Sequence, residues 1–430
     1  EVTESPRPSG ITQGIFYDEL DPTKVTVSLL APFKELVYVI GDFSNWEILP
    51  KYQMKKDVVS NNEVYWWLEI DGLTPGEEYA FQYLVDNEIR IADPYSEKVL
   101  HQDDEWIDES TYPNLKAYPK DQTSEYVSVL QTNQQEFAWT DQNWERPDKN
   151  NLVIYELLVR DFSDNHDFKT VIDSLDYLEQ LGINAIELMP INEFEGNNSW
   201  GYNPAFYFSA DKYYGPADDL KQLINEAHNR GIAVIVDAVY NHSFGQSPMV
   251  RLYNEGSYGK PTEENIWFNT DARHPFNVGY DFDHSSIFTQ RFIDDINRYW
   301  VEEYHVDGFR YDLSKGFTQN FTDDVGAWNQ YDQSRVDLLN RMKGAIHQVY
   351  PETYLILEHL GNNDEETALA NSGFMLWGIM HEQFKDAALG FDGDLTNVSY
   401  QNRGWNSPNL VGYMESHDEE RITHEILSFG

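Results

Sequence analysis

The stretch Val306–Gly316, VDGFRYDLSKG, decides the fold of this chain. It begins as a short apolar segment directly after an amphipathic run, Phe292 to Tyr304, and this order predicts a helix followed by a buried strand. Arg310 and Asp312 stand at alternate positions at the end of that strand, so their side chains share one face. Taken alone, the two residues are most simply interpreted as an ion pair. The neighbouring strands decide whether they do more.

The same alternation of strand and helix continues on both sides of this stretch. Helical spacing between Phe168 and Leu181 ends at Gly182, and a second helical pattern between Leu220 and Ala227 ends before Gly231. Apolar strand candidates occur at Leu152–Val159, Ile183–Met189, Ile232–Val239, Tyr354–Glu358, Phe374–Gly378 and Leu410–Met414. About seven strands separated by helices predict an α/β fold, a (β/α)8 TIM barrel that is incomplete in this chain.

The N-terminal part has a different pattern. Short segments rich in Val, Tyr, Phe and Trp, separated by turn residues, predict an all-β immunoglobulin-like sandwich over residues 1–115. A polar connector is expected over residues 116–148, and the barrel over residues 149–430, with an inserted loop subdomain at 243–286. Because the barrel is one strand short, we expect a second polypeptide fragment to complete it.

Composition excludes several classes of function. Asp and Glu number 74 against 30 Lys and Arg, a net charge of -44, which repels nucleic acid and anionic membranes and favours a neutral substrate. No cysteine is present, so disulfides and thiolate metal sites are excluded. The chain starts at Glu1 rather than Met, and with the acidic composition this favours a secreted or periplasmic protein while leaving a cytoplasmic location open.

Polar side chains gather where the predicted strands end. The third strand leads to Asp237, Asn241 and His242, the fifth to Glu358, and the seventh to His417 and Asp418. In a barrel these ends surround one mouth, where like charges raise one another's pKa. Such a set is costly to assemble without a function.

Four segments in this order, VDAVYNHS, GFRYDLSKG, LILEHLG and MESHDEER, resemble the four motif regions of the alpha-amylase family, glycoside hydrolase family 13. The resemblance covers about residues 150 to 425. SWGYNPAFYF, Ser199–Phe208, is similar to the element after the second strand in the pullulanase, isoamylase and branching-enzyme branch. GDFSNWEI, Gly41–Ile48, resembles carbohydrate-binding module family 48, and its Trp46 has an alternative place in the core.

The resemblance implies a role for each matching residue. Asp312 would be the nucleophile, Glu358 the general acid and base, and Asp418 the third carboxylate, which stabilises the transition state. The substrate-binding residues would be Tyr202, His242, Arg310, Lys315 and His417. Asn241 matches a structural calcium ligand, although Gly316 stands where relatives usually have His. No cofactor is expected for the chemistry itself.

The residue types also suit the reaction independently of the resemblance. Retaining cleavage of a glycoside needs one ionised carboxylate and one protonated carboxyl group. Arg310 favours the ionised form of Asp312, and neighbouring carboxylates favour the protonated form of Glu358.

The sequence therefore predicts a retaining glycoside hydrolase acting on α-glucans such as starch, maltodextrin, glycogen or pullulan. Three alternatives stay open: an α-glucan transglycosylase of branching type, a non-catalytic glucan-binding barrel, and a metal-dependent hydrolase with His242 and His417 as ligands. The intact set of Asp312, Glu358 and Asp418 argues against the binding-only alternative. No HExxH spacing supports the metal-dependent one.

Overall fold

The computed structural model describes residues 2–430, and its N-terminal part consists of two antiparallel sheets. The strands here are β1 (Gly14–Tyr17), β2 (Val25–Leu30), β3 (Val37–Gly41), β4 (Lys55–Ser60), β5 (Glu63–Ile70), β6 (Glu78–Val85), β7 (Ile89–Ile91), β8 (Val99–Leu100) and β9 (Val127–Gln131). One sheet has the order β1-β2-β5-β4 and the other β3-β6-β9-β8, with β7 paired to β6. Their buried faces share one core, to which Val27, Trp66 and Tyr83 contribute. The predicted all-β N-terminal region is confirmed.

The segment at residues 116–148 is more structured than the expected polar connector. It contains β9, which pairs with both β6 and β8. Further along, Trp144 and Arg146 each place a side-chain nitrogen 2.8 Å from Oδ1 of the buried Asp307. The last part of this segment is therefore held against the following α/β region.

The rest of the chain alternates strands with helices. Its strands are β10 (Ile154–Leu157), β11 (Ala185–Leu188), β12 (Asn192–Phe194), β13 (Pro204–Ala210), β14 (Ala233–Ala238), β15 (His242–Ser243), β16 (Tyr280–Asp281), β17 (Gly308–Tyr311), β18 (Tyr354–Leu357), β19 (Met375–Ile379) and β20 (Leu410–Tyr413). Its helices are α1 (Val159–Phe162), α2 (Phe168–Asp173), α3 (Leu175–Gln180), α4 (Ala217–His228), α5 (Pro248–Arg251), α6 (Ile287–Tyr304), α7 (Val325–Trp328), α8 (Gln333–His347), α9 (Asn363–Asn371), α10 (His381–Leu389) and α11 (Ile422–Phe429).

Seven of these strands form one parallel sheet with the order β10-β11-β14-β17-β18-β19-β20. The sheet is curled, as an incomplete (β/α)8 barrel requires, so the predicted fold class is confirmed. In the described residues 2–430, no strand pairs with the outer edge of β10 or of β20. The second polypeptide expected at these edges stays a prediction. No helix within this range is long and apolar enough to cross a membrane.

The central strands are apolar because both of their faces are covered. All residues of β14 and β17 are buried, which is the pattern of a parallel strand beneath helices. A β-carbon on Gly308 would lie 2.4 Å from Tyr354 Cβ on β18. Only glycine allows these two strands to pair there.

The helices begin and end at recognisable residues. Ser286 accepts a hydrogen bond from the Phe288 backbone N–H at the start of α6, and His305 ends this helix in the left-handed conformation, with φ 54°. The helix predicted between Phe168 and Leu181 is divided into α2 and α3 at Ser174. The Ser174 hydroxyl donates to the Thr170 carbonyl, a contact that bends helices.

Candidate active site

Arg310 lies at the centre of the carboxyl ends of the parallel strands. It is the register partner of Asp237 on β14, and its side chain is fully buried. Its Nη1 lies 2.9 Å from Asp237 Oδ1 and 2.7 Å from Asp312 Oδ1, while Nη2 forms a 3.3 Å ion pair with Glu358 Oε2. One guanidinium group thus contacts three carboxyl groups from three strands.

The face of the same guanidinium lies on an aromatic ring. Arg310 Cζ is 4.1 Å from the ring centroid of Trp377 on β19. Trp377 itself is only 5% exposed, so its place is in the barrel interior, where a cation–π contact strengthens as water is excluded. The sequence pattern of β19 did not predict that Trp377 would contact Arg310.

The two central carboxyl groups have different electrostatic surroundings. Burial raises the pKa of Glu358 to about 7. The positive charge of Arg310 opposes this rise, and the negative charges of Asp312 and Asp418 add to it. Burial also raises the pKa of Asp312, and the Arg310 contact opposes this. Leu313, whose φ of 46° is uncommon for a side chain of this kind, donates its backbone N–H to Glu358 Oε2 at 2.7 Å. Both carboxyl groups are 13% exposed and so remain accessible from the mouth.

His417 and Asp418 reach the site from the loop after β20. His417 Nε2 lies 3.3 Å from Asp418 Oδ1, and its ring stacks on that of Tyr202 with the centroids 5.1 Å apart. Asp418 is more open than the other carboxyl groups, with a side chain 56% exposed. The structure thus brings the residues expected from the fourth motif next to the Arg310 cluster.

Tyr202 and His242 form a second unit beside this cluster. The Tyr202 hydroxyl donates to Asp237 Oδ2 at 2.7 Å. His242 is fully buried, with Nε2 2.8 Å from the Tyr202 carbonyl oxygen and Nδ1 3.0 Å from Asn241 Nδ2. Burial lowers the pKa of His242 to about 4, so the ring is neutral. The contacts of His242 hold the Tyr202 backbone, and its expected contact with a sugar stays a prediction.

Lys315 turns its ammonium group into the protein. Nζ lies 2.5 Å from Asn329 Oδ1 and 2.9 Å from the Leu360 carbonyl oxygen, and 4.2 Å from the ring centroid of Trp328. Burial and the nearby Arg335 lower the pKa of Lys315 to about 8. The expected sugar contact of Lys315 also stays a prediction.

The surroundings of Asn241 do not fit a calcium site. Its Oδ1 accepts a hydrogen bond from His274 Nε2 at 2.8 Å, and its Nδ2 donates to Asn277 Oδ1 at 3.1 Å. Calcium requires six to eight oxygen ligands. Within residues 2–430, no group of three or more His, Cys, Asp or Glu side chains is arranged to hold a metal ion.

Two further carboxyl groups below the mouth were not identified from the sequence. Glu156 and Glu187 are register partners on β10 and β11. Glu187 is 2% exposed, its Oε1 has no hydrogen-bond partner, and burial raises its pKa to about 8. A signal was present, since each is the one charged residue within an apolar run, LVIYELLV and AIELM.

Comparison with known proteins agrees with this architecture. The family described as alpha amylase, catalytic domain, matches residues 131–291. A malto-oligosyltrehalose trehalohydrolase from Saccharolobus solfataricus is 30% identical over 295 residues, which are 68% of this chain and 44% of the relative. A 1,4-alpha-glucan branching enzyme from Bacillus subtilis is 27% identical over 418 residues, which are 93% of this chain and 57% of the relative.

Solved structures share the fold at lower identity. A pullulanase from an Anoxybacillus species, complexed with maltotetraose, superposes with a TM-score of 0.68 at 20% identity. The superposition covers 98% of this chain and 63% of the pullulanase chain. The chain thus spans less than two thirds of the length of each of these three proteins. The matched family and the homologous relatives identify the chain as a member of the alpha-amylase family, glycoside hydrolase family 13.

Proposed function

We propose that this protein is a retaining glycoside hydrolase that cleaves α-glucans through a covalent glycosyl-enzyme intermediate. The observation that carries the proposal is the contact of one guanidinium, that of Arg310, with both Asp312 at 2.7 Å and Glu358 at 3.3 Å. A nearby cation favours ionisation of a carboxyl group, whereas burial favours its protonated form. Asp312 makes the shorter contact, and Glu358, with a pKa of about 7, keeps its proton in acidic solution and is about half protonated at neutral pH.

The first step uses this difference. An ionised oxygen of Asp312 attacks the anomeric carbon, the bond to the leaving oxygen breaks, and Glu358 gives its proton to that oxygen. Positive charge develops on the sugar between these events, and Asp418 stabilises it. Tyr202, Arg310 and His417 position the groups around the reacting sugar.

The second step regenerates the enzyme. Glu358, now ionised, takes a proton from water, whose oxygen attacks the anomeric carbon and releases Asp312. No cofactor takes part in either step. Calcium bound through Asn241 is not part of the proposal, because that amide already bonds to His274 and Asn277.

Transfer to another glucan is the second candidate function. It is favoured by the similarity to a branching enzyme over 93% of this chain. The same covalent intermediate serves both reactions, and only the acceptor differs. Product analysis on amylose separates the two, since hydrolysis raises the number of reducing ends and branching raises the number of α-1,6 linkages.

The direct test is Glu358→Gln, assayed by reducing-end release from soluble starch. We expect turnover to fall by about 100-fold or more, because general acid and base catalysis contributes about that factor. Glu352→Gln is the matched control, since Glu352 is an exposed residue just before the opposite end of β18. Undiminished turnover in Glu358→Gln would overturn the role of Glu358. Absence of any cleavage by the unmodified protein would favour the glucan-binding alternative.

A further inference from the structure

Glu156 connects the first strand of the curled sheet to the loop after its last strand. Its Oε2 accepts the backbone N–H of His417 at 2.8 Å, and its Oε1 lies 2.7 Å from His417 Nδ1. One carboxylate thus binds two nitrogens of one residue, across 261 positions of sequence. A two-point contact of this kind fixes orientation as well as position.

The ring of His417 is held on its faces as well as at its edge. Tyr202 stacks on it with an interplanar angle of 23°, and Trp200 meets it edge-on with the centroids 5.8 Å apart. With Nδ1 bound to Glu156, the remaining nitrogen, Nε2, is directed towards Asp418 Oδ1 at 3.3 Å. The second nitrogen of a histidine takes its role from the hydrogen bond made by the first.

Charged groups on several elements surround this ring. The carboxyl groups that act on it are Glu156 on β10, Glu187 on β11, Asp237 on β14, Asp312 after β17 and the adjacent Asp418. Arg310 is the other cation of the cluster. Burial lowers the pKa of His417, but the hydrogen bond and charge of Glu156, with Asp237 and Asp418, outweigh it and raise the pKa to about 9.

We propose that Glu156 is a positioning residue, which orients His417 through its backbone N–H and Nδ1 so that Nε2 faces Asp418 and the reacting sugar. This deepens the proposed function and rests on it for the role of His417 in turnover. The contact with His417 does not depend on that function. Glu156 is half-buried, with its side chain 19% exposed, and its two bonds to His417 offset the cost of removing a carboxylate from water.

The first test is the titration of His417 in Glu156→Gln, followed by NMR of the imidazole in the full chain and assigned with His417→Gln. Glutamine keeps the shape of the side chain and removes the charge. We expect the pKa of His417 to fall from about 9 by about one pH unit or more, the usual effect of losing an adjacent opposite charge. Glu179→Gln, an exposed carboxylate on α3, should leave the titration unchanged.

The second test is a double-mutant cycle on turnover. As a single substitution, Glu156→Gln should lower kcat/KM. Added to His417→Gln, it should have little further effect, since Glu156 acts through His417. Additive losses, or an unchanged His417 titration, would overturn the proposal. If Glu156→Gln does not fold, Glu156→Asp replaces it in the test. This variant keeps the charge, so the pKa of His417 should stay near its value in the unmodified protein, while the shorter side chain should lower kcat. An unchanged kcat would overturn the proposal.

The titration needs no substrate, so the two proposals fail separately. If Glu358→Gln retains turnover, the proposed function is wrong, but the titration of His417 still tests its contact with Glu156.

Discussion

The backbone of Gly316 packs so closely on Asn241 that a β-carbon at position 316 would lie 1.8 Å from Asn241 Oδ1 and 2.7 Å from His274 Nε2. We therefore expect Gly316→Ala to lower the free energy of unfolding by about 1–3 kcal/mol, since overpacking of a filled site costs about that much. Urea denaturation measures the change. Gly344→Ala, on α8 with open space around the added carbon, is the control, and an equal effect of both would contradict the packing argument.

The same contact leads to a prediction about metal removal. His274 Nε2 bonds to Asn241 Oδ1 at 2.8 Å, and the Gly316 backbone packs against the same oxygen, so little room is left for calcium there. We expect chelators and added calcium to leave Tm unchanged, since a ligand stabilises a protein only when it binds the folded state. A rise in Tm that grows with calcium concentration would contradict this prediction and support calcium binding at Asn241.

The pH dependence of turnover follows from Glu358. The proposed acid acts in its protonated form, and its pKa is raised to about 7, so kcat/KM should be maintained below this pH and fall as the pH rises through it. The free enzyme determines the profile of kcat/KM. In Glu358→Gln the residual activity should lose this basic limb. A limb that persists unchanged in the variant would assign it to another group.

The positions of the strand ends could be predicted from the sequence, because buried parallel strands are apolar runs that stop at polar residues. Asp312, Glu358 and Asp418 follow such runs, and the structure places the first two against Arg310 and Asp418 close enough to Glu358 to affect its pKa. Their roles remain proposals. The strand β9 was not predicted, although Tyr126–Leu130, YVSVL, is rich in strand-forming residues, because the residues on both sides of it are polar. The structure pairs it with β6 and β8.

Contacts that depend on sheet closure were also beyond the sequence. The bond of Glu156 to His417 exists only because the curled sheet brings its first strand near the loop after its last. His242 and Lys315 match the family motif, yet their polar atoms bond within the protein. A motif identifies a residue type at a position, and the surrounding contacts decide where its polar atoms point.

Arg310→Met should reduce both stability and turnover. It leaves Asp237 and Asp312 buried without their cation, and removing one partner of a buried ion pair costs about 3–5 kcal/mol. Arg310→Lys restores the charge but neither the planar fork nor the full contact with Trp377, so it should recover part of the stability and little turnover. Thermal denaturation and the starch assay measure the two effects. Arg298→Lys, in an exposed pair with Asp295, is the control and should change neither.

Asp307 lies at the opposite end of the barrel from the proposed site, and its substitution tests the contacts at that end. Its side chain is fully buried, and donors from separate parts of the chain converge on it: Oδ1 lies 2.8 Å from both Trp144 Nε1 and Arg146 Nε, while Oδ2 lies 2.8 Å from both His228 Nε2 and the Val234 backbone nitrogen.

Asp307→Asn replaces one accepting oxygen with an NH2 group that faces these donors. We expect the free energy of unfolding to fall by about 1–3 kcal/mol, because buried donors that now bond to a carboxylate oxygen lose their acceptor. Proteolysis within residues 139–148 should become faster, since Trp144 and Arg146 anchor this segment to the Asp307 carboxylate and the substitution removes its charge. The starch activity of the folded fraction should stay the same, because Asp307 precedes β17 while the proposed site follows it. Loss of activity without loss of stability would show that the two ends of the barrel are coupled and would contradict this separation.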